Sequence, residues 1–205
     1  MARRSDHSRD ELRDLALDAA ESIVERDGVE ALTARRIAGE IGYTAGSLYL
    51  VFTNLDDLFV QLNARTLARL GRELDASAER DAAPTGRIVA LGRAYLRYAA
   101  RHPARWALLF RRRDQEMDNL PESYRGQVRA LFERVEIQLR RLDGRQSEED
   151  VRLAARALWS GVHGICTLAA TESLEVAGSD HVEKLAETLI ACFLAGWARP
   201  LEPLV

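Results

Sequence analysis

Lysine is almost missing from this sequence. Lys184 is the only one among 29 lysine and arginine residues, so arginine carries nearly all the positive charge. A GC-rich genome produces such a bias, and the arginine fork also suits phosphate and guanine better than an ammonium does. Cysteine is scarce as well: Cys166 and Cys192 lie in apolar helical patterns and are too few for a disulfide framework. No secretory leader is legible in residues 1–8, which lack an apolar core. The longest nearly uncharged run, residues 157–171, falls short of the ~20 residues that span a bilayer, and it holds Ser160, His163 and glycines. These absences point to a cytoplasmic protein with no membrane partner.

Excess charge is missing too. The formal net charge is −3 and the pI about 5.9, so no overall basic field announces a nucleic acid. With 47% hydrophobic and 30% charged residues, the composition is that of a folded globular protein and not of a disordered one. Its 205 residues suffice for one large domain or for a small head and a larger body. There is no nucleophile elbow, glycine-rich phosphate loop or paired-histidine motif, so neither an enzyme nor a cofactor is expected. Sustained alternation of period two, the mark of a half-buried strand, is absent throughout.

What is present is helical periodicity in nearly every segment, and the expected class is all-α. Ser8-Arg-Asp-Glu11 has capping-box spacing; Leu12, Leu15, Ala16, Ala19, Ala20, Ile23 and Val24 follow on one face, expected to be buried, and Gly28 suits a helix stop. The acids of this helix are expected on its solvent side. Thr33, Thr44 and Asn54 are candidate N-caps of three successive helices, the last of them long. Residues 75–86 are polar and contain Pro84, a break. Further helices are expected over residues 85–101, after Pro103, from Pro121 to Asp143-Gly144, from Ser147 through Ala169, and from near Asp180 to Trp197. Arg199-Pro200 would begin a tail.

Two short helices joined through Ile41-Gly42-Tyr43 form the informative constellation. A helix-turn-helix needs a support helix, a tight turn with glycine, and a second helix whose first residues face the major groove. Thr44-Ala45-Gly46-Ser47 is small and polar, so the backbone there can approach DNA, while Leu48 and Phe52 would pack inward. On spacing alone, a generic helical hairpin with a glycine turn is equally compatible.

Residues 32–52, Leu-Thr-Ala-Arg-Arg-Ile-Ala-Gly-Glu-Ile-Gly-Tyr-Thr-Ala-Gly-Ser-Leu-Tyr-Leu-Val-Phe, closely resemble the DNA-binding signature of the TetR family of repressors. The agreement includes Thr33, Ile37-Ala38, the turn glycine, Gly46-Ser47-Leu48-Tyr49, Phe52, and Asp56-Asp57-Leu58 at the start of the next helix. The resemblance implies a three-helix helix-turn-helix head in residues 1–55. A long helix would join it to a helical-bundle body, residues 56–205, that binds ligand and dimerises. By the same resemblance Thr33 bonds a phosphate, and Arg35 or Arg36 reaches a phosphate or a base edge. Thr44, Ala45, Gly46 and Ser47 lie at the groove floor or walls, Tyr49 meets the DNA backbone, and Asn54 caps the helix behind them. Arg3, Arg4 and Arg9 form a basic arm that follows a groove or phosphates, or else a tail. Many relatives carry lysine where Leu55 stands and histidine where Val51 stands. Leu55 cannot hold a phosphate, so the salt dependence of binding should be shallower by about one counterion per head.

In the body, Trp159-Ser160-Gly161-Val162-His163-Gly164 resembles the Trp-x-Gly-x-His-Gly signature of one C-terminal subclass of the same family. Gly161 and Gly164 would let another helix approach closely, with Trp159 as a buried anchor. His163 shares a face with Trp159 and reads either as a satisfied core residue or as a ligand contact. A metal is not expected, since no second ligand stands at the right spacing. The expected pocket lies between the Tyr95 helix, the segment of Trp106 and Phe110, the helix of Tyr124 and Phe132, and the helix of Trp159, His163 and Cys166. It would suit a small apolar or amphipathic effector. The last two helices are apolar around much of their circumference. A two-fold interface with Leu158, Gly161, Ile165, Leu189, Phe193 and Trp197 would cover that excess, giving a homodimer matched to a palindromic double-stranded DNA operator. The expected function is a transcriptional repressor released from its operator by a small molecule. The rival is a helical dimeric protein-interaction or ligand-binding module that does not bind DNA, a reading the acidic pI favours.

Overall fold

The structure, a computed structural model, describes residues 7–111, 120–171, 173–176 and 181–197. Among them there is no strand. The helices are α1 (Arg9–Asp27), α2 (Ala34–Glu40), α3 (Ala45–Leu48), α4 (Leu55–Ala78), α5 (Pro84–Arg101), α6 (Pro103–Phe110), α7 (Glu122–Leu142), α8 (Glu148–Ala170), α9 (Ser173–Val176) and α10 (Val182–Trp197). The all-α expectation holds. Arg3, Arg4, Asp180 and the expected tail at Arg199-Pro200 lie outside the described residues.

The helix ends follow local hydrogen-bonding chemistry. Ser8 and Glu11 close a reciprocal capping box, with Ser8 N donating to Glu11 Oε2 at 2.7 Å and Glu11 N donating to Ser8 Oγ at 3.3 Å. Thr33 Oγ1 accepts from Arg36 N at 3.3 Å, and Ser147 Oγ accepts from Asp150 N at 3.1 Å. Asn54 Oδ1 accepts from Asp57 N at 2.7 Å. Thr44 departs from the expectation. Its hydroxyl makes no cap bond to the backbone of α3 and pairs with Ser47 Oγ at 3.0 Å instead. Gly28 and Gly42, with φ of +82° and +74°, end α1 and turn the chain after α2 in a region costly for residues with a Cβ.

The chain divides into two compact units, Met1–Ala68 with His102–Tyr124, and Arg69–Arg101 with Arg125–Val205. In the first, the apolar face of α1 (Ala16, Ala20, Ile23, Val24) meets Ile37 of α2, Leu48 of α3, Leu58 and Leu62 of α4, and Leu108 of α6. Full burial of each large aliphatic side chain is worth about 1.5–3 kcal/mol. The acids of α1 are not all solvent-facing as expected. Glu21 is 5% exposed and lies 3.3 Å from Arg105 of α6 and 3.9 Å from Arg65 of α4. Charge attraction between helices outweighs a solvated position there because α6 supplies a nearly buried guanidinium. Nearer the N-terminus of α1, Asp14 and Asp18 each hold a nitrogen of Arg65 at 2.6 Å.

In the second unit α5, α8 and α10 pack against one another. Glycines on α5 and α8 receive branched side chains of α10. A Cβ at Gly92 would stand 2.6 Å from Ile190 Cδ1, and one at Gly161 would stand 2.6 Å from Leu189 Cδ2. Gly161 thus has the close neighbour expected of it, while a Cβ at Gly164 would meet nothing within 4 Å. Trp197 Nε1 donates to Leu139 O at 3.3 Å and ties α10 to α7. Arg134 of α7 grips Asp75 of α4 with two nitrogens, each at 2.7 Å. No helix among the described residues is long and apolar enough to cross a membrane.

Candidate functional site

Burial divides the segment from Thr44 to Phe52 into two faces. Leu48, Val51 and Phe52 are buried in the core of the first unit, whereas Gly46, Tyr49 and Leu50 are exposed. The apolar residue at position 51 is therefore a core residue, and Leu55 packs half-buried on the same core. Tyr43 N donates to Ala38 O at 2.8 Å across the turn. Exposed Thr33 and Arg35 stand at the start of α2. The two arginines of α2 differ. Arg36 pairs with Asp27 at 2.5 Å, and Asp27 also holds Arg26 at 2.7 Å, whereas Arg35 makes no ion pair among the described residues. Near the turn, Tyr43 OH and His7 Nδ1 are 2.8 Å apart.

The second unit brings together four of the residues expected around a ligand. Tyr95 of α5 is buried, and its hydroxyl lies 2.9 Å from His163 Nδ1 on α8. The His163 ring stacks on Trp159 with centroids 4.9 Å apart, and Phe132 of α7 meets Trp159 edge-on at 5.5 Å. Above Phe132 sits the Arg156 guanidinium, 4.8 Å from the ring centre and also 3.0 Å from Glu136. Burial lowers the pKa of His163 below its ordinary value, so its neutral form prevails near pH 7. Burial also pushes the Cys166 thiol, on the same helix, up to about 12. Trp159 is only half-buried, not the buried anchor expected: Phe132 and His163 cover parts of its ring and leave the rest open. Trp106 and Phe110 pair with each other in the first unit, centroids 5.1 Å apart. Tyr124, also of the first unit, is half-buried, and burial raises its pKa.

The residues expected at a dimer contact fall on several faces. Leu158 and Trp197 are buried within their own chain, while Ile165, Leu189 and Phe193 are half-buried and Gly161 is filled by Leu189. On the outward side of α8, Leu153, Ala157, Ser160 and Leu168 recur at helical spacing and are exposed; Thr188, Ala191, Cys192 and Ala195 do the same on α10.

Two family models match this chain. One, described as bacterial regulatory proteins of the tetR family, matches residues 16–62, and the other, a tetracyclin repressor-like C-terminal domain, matches residues 88–193. The chain belongs to the TetR family. Family membership makes it a ligand-responsive, DNA-binding regulator of transcription, and such regulators bind DNA operators as dimers and are generally not enzymes.

Solved structures share the fold of this TetR regulator over nearly all its length. A protein of unknown function from Rhodococcus sp. RHA1 is 24% identical with a TM-score of 0.77, covering 97% of this chain and 100% of that one. RolR, in complex with resorcinol, is 17% identical with a TM-score of 0.66, over 96% and 98% of the two chains. The TetR family regulator PfmR from Thermus thermophilus is 21% identical with a TM-score of 0.60, over 90% and 99%. No curated protein sequence matches the chain.

Sequence reasoning missed two features of this TetR regulator. One is the Glu21–Arg105 pair: its partners stand far apart in the chain, and an acid on a helical repeat gives no sign of an arginine waiting inside. The other is Leu50, 62% exposed in the segment that follows the turn. Its position opposite Leu48 and Phe52 on a helical wheel is the signal in the sequence, blurred by the apolar residues on either side of it.

Proposed function

We propose that the protein is a cytoplasmic, homodimeric repressor. Its head, residues 1–55, sets α3 into the major groove of a palindromic double-stranded operator. Its body, residues 56–205, binds a small apolar or amphipathic effector and releases the DNA. The observation that carries this reading is the division of residues 44–52 into a buried apolar face and an outward face of exposed Gly46, Tyr49 and Leu50, with Ser47 half-buried beside them. A helix held by one face and bare on the other is what groove docking requires. Thr33, Arg35 and Tyr49 serve as phosphate contacts, with Arg35 ahead of Arg36 because Arg36 is held by Asp27. Thr44, Ala45, Gly46 and Ser47 lie against the bases, Asn54 caps the helix behind, and Arg3 and Arg4 follow the DNA as an arm.

The effector meets Tyr95, Phe132, Trp159 and His163, an aromatic surface with a few polar atoms, as small-molecule sites commonly are. The stacked Trp159–His163 pair supports placing the body in the Trp-x-Gly-x-His-Gly subclass. RolR, of the same fold, binds resorcinol, and a small aromatic compound with polar substituents is the effector class we favour here. Cys166, on the same helix as Trp159 and His163, belongs to the same proposed pocket. The outward stripes of α8 and α10 form the dimer contact, with Ile165, Leu189 and Phe193 at its border. An effector that binds the DNA-incompetent arrangement better shifts the population away from the operator; one that binds both equally shifts nothing. The work is binding and not catalysis. A mobility-shift assay on the DNA flanking the gene should give a retarded dimer complex, which the effector dissolves. Calorimetric titration of an effector should give weaker binding with operator present than without; equal affinities overturn the release mechanism.

A further inference from the structure

The outward face of the reading segment has no side chain able to grip a purine by two hydrogen bonds. Discrimination of guanine by Arg or Lys, and of adenine by Asn or Gln, rests on such paired contacts in the major groove. From Thr44 to Thr53 the sequence is Thr-Ala-Gly-Ser-Leu-Tyr-Leu-Val-Phe-Thr, without a charged or amide side chain. The Asn54 amide oxygen is occupied by Asp57 N. The hydroxyls of Thr44 and Ser47 bond each other, which uses one of their two protons.

What that face does present is an isobutyl group. The backbone continues in helical turns past α3, with Leu50 N donating to Ser47 O at 3.2 Å and Phe52 N to Leu48 O at 2.9 Å. Leu50 therefore lies one turn beyond Gly46 and Ser47, on the side away from buried Leu48 and Phe52. It is 62% exposed. Beside it Gly46 leaves a flat patch, where a Cβ would meet only Thr44 Oγ1, at 3.8 Å. A bare backbone next to an exposed apolar side chain admits a base edge closely and offers its methyl group an apolar contact. Thymine is the base that carries such a methyl into the major groove.

We propose that Leu50 is a specificity-determining residue that reads the 5-methyl group of a thymine in each operator half-site, and that α3 makes no paired hydrogen bonds to a purine. This rests on α3 being the element in the groove. Direct readout in this segment is then a matter of methyl contact, hydroxyl bonds and close fit.

The test uses the full-length protein and an operator selected from random duplexes. Each thymine is replaced in turn by uracil, which removes only the methyl. One thymine per half-site should lose about fourfold in affinity on replacement, equivalent to ~0.8 kcal/mol for one apolar carbon at 1.4 kcal/mol per tenfold. Leu50→Ala should bind the thymine and uracil operators alike, and Leu50→Gln, of similar reach but polar, should do the same. Thermal unfolding of both variants verifies the fold, and Leu50→Met should keep a uracil penalty. A wild type indifferent to uracil at every position overturns the proposal, and so does a penalty undiminished in Leu50→Ala. Selection of no sequence by the wild type overturns the assignment of α3 to the groove, and this inference with it.

Discussion

At His163 a neutral imidazole lies against Tyr95 and Trp159, and its protonation state sets what Tyr95 can do. With Nδ1 unprotonated, the Tyr95 hydroxyl donates to it across 2.9 Å. Protonation turns Nδ1 into a donor and reverses that bond. Burial holds the folded pKa below the ordinary value, so on acidification the unfolded chain takes up the proton first. Stability from this residue is therefore complete above about pH 6.5 and is lost as pH falls through that value toward the lower folded pKa. Thermal midpoints taken from pH 7.5 to 5.5 should fall in the wild type and fall less in His163→Gln. The presence of this histidine beside a tryptophan was legible from its spacing on one helix face. Its bond to Tyr95 was not, because nothing in a helical repeat says which residue of another helix stands opposite.

Between elements, the Glu21–Arg105 contact joins α1 to α6 where little water reaches. Breaking such a pair from one side leaves the other charge buried, at a cost of about 3–5 kcal/mol. Arg65, 3.9 Å from Glu21, moderates the loss. Arg105→Ala is expected to destabilise by about 3 kcal/mol in urea unfolding. Asp14→Ala, removing an exposed partner of Arg65, should change stability by less than about 1 kcal/mol. The double variant Glu21→Leu, Arg105→Met should recover most of the loss, since well-packed apolar replacements remove both desolvation penalties. The helices themselves were legible because their signals are local: Ser8, Thr33 and Asn54 cap as their sequences imply, and Ser147 stands at the helix start expected there. Thr44 shows the limit of that logic, since its hydroxyl had a second partner, Ser47, within the same turn. The short helix α9 and the turn at Val29–Ala31 are not legible in the sequence because three or four residues carry no period.

For the whole molecule, the question is how a chain of net charge −3 holds a polyanion. A dimer docking two heads at once supplies what overall charge does not. Association should therefore govern operator affinity. Leu168, 47% exposed on the outward stripe of α8, is a place to test this. Leu168→Glu would set two carboxylates against an apolar contact across the two-fold axis. Sedimentation should then show a shift toward monomer, with operator affinity falling in parallel and thermal stability of the monomer unchanged. Sequence periodicity revealed that the last two helices carry excess apolar surface. It did not separate Leu158 and Trp197, which the chain buries itself, from Leu153 and Leu168, which it leaves outside, because both sets obey the same repeat.

The two thiols differ in a way that turns chemistry into a measure of assembly. Cys166 is buried, with its thiol pushed up to about 12, and will not react while the chain is folded. Cys192 is exposed on the outward stripe of α10. An aromatic disulfide reagent should therefore modify one thiol per native chain and both after denaturation. If α10 lines the dimer contact, the rate at Cys192 will fall as protein concentration rises through the dissociation constant, giving a chemical clock of subunit exchange.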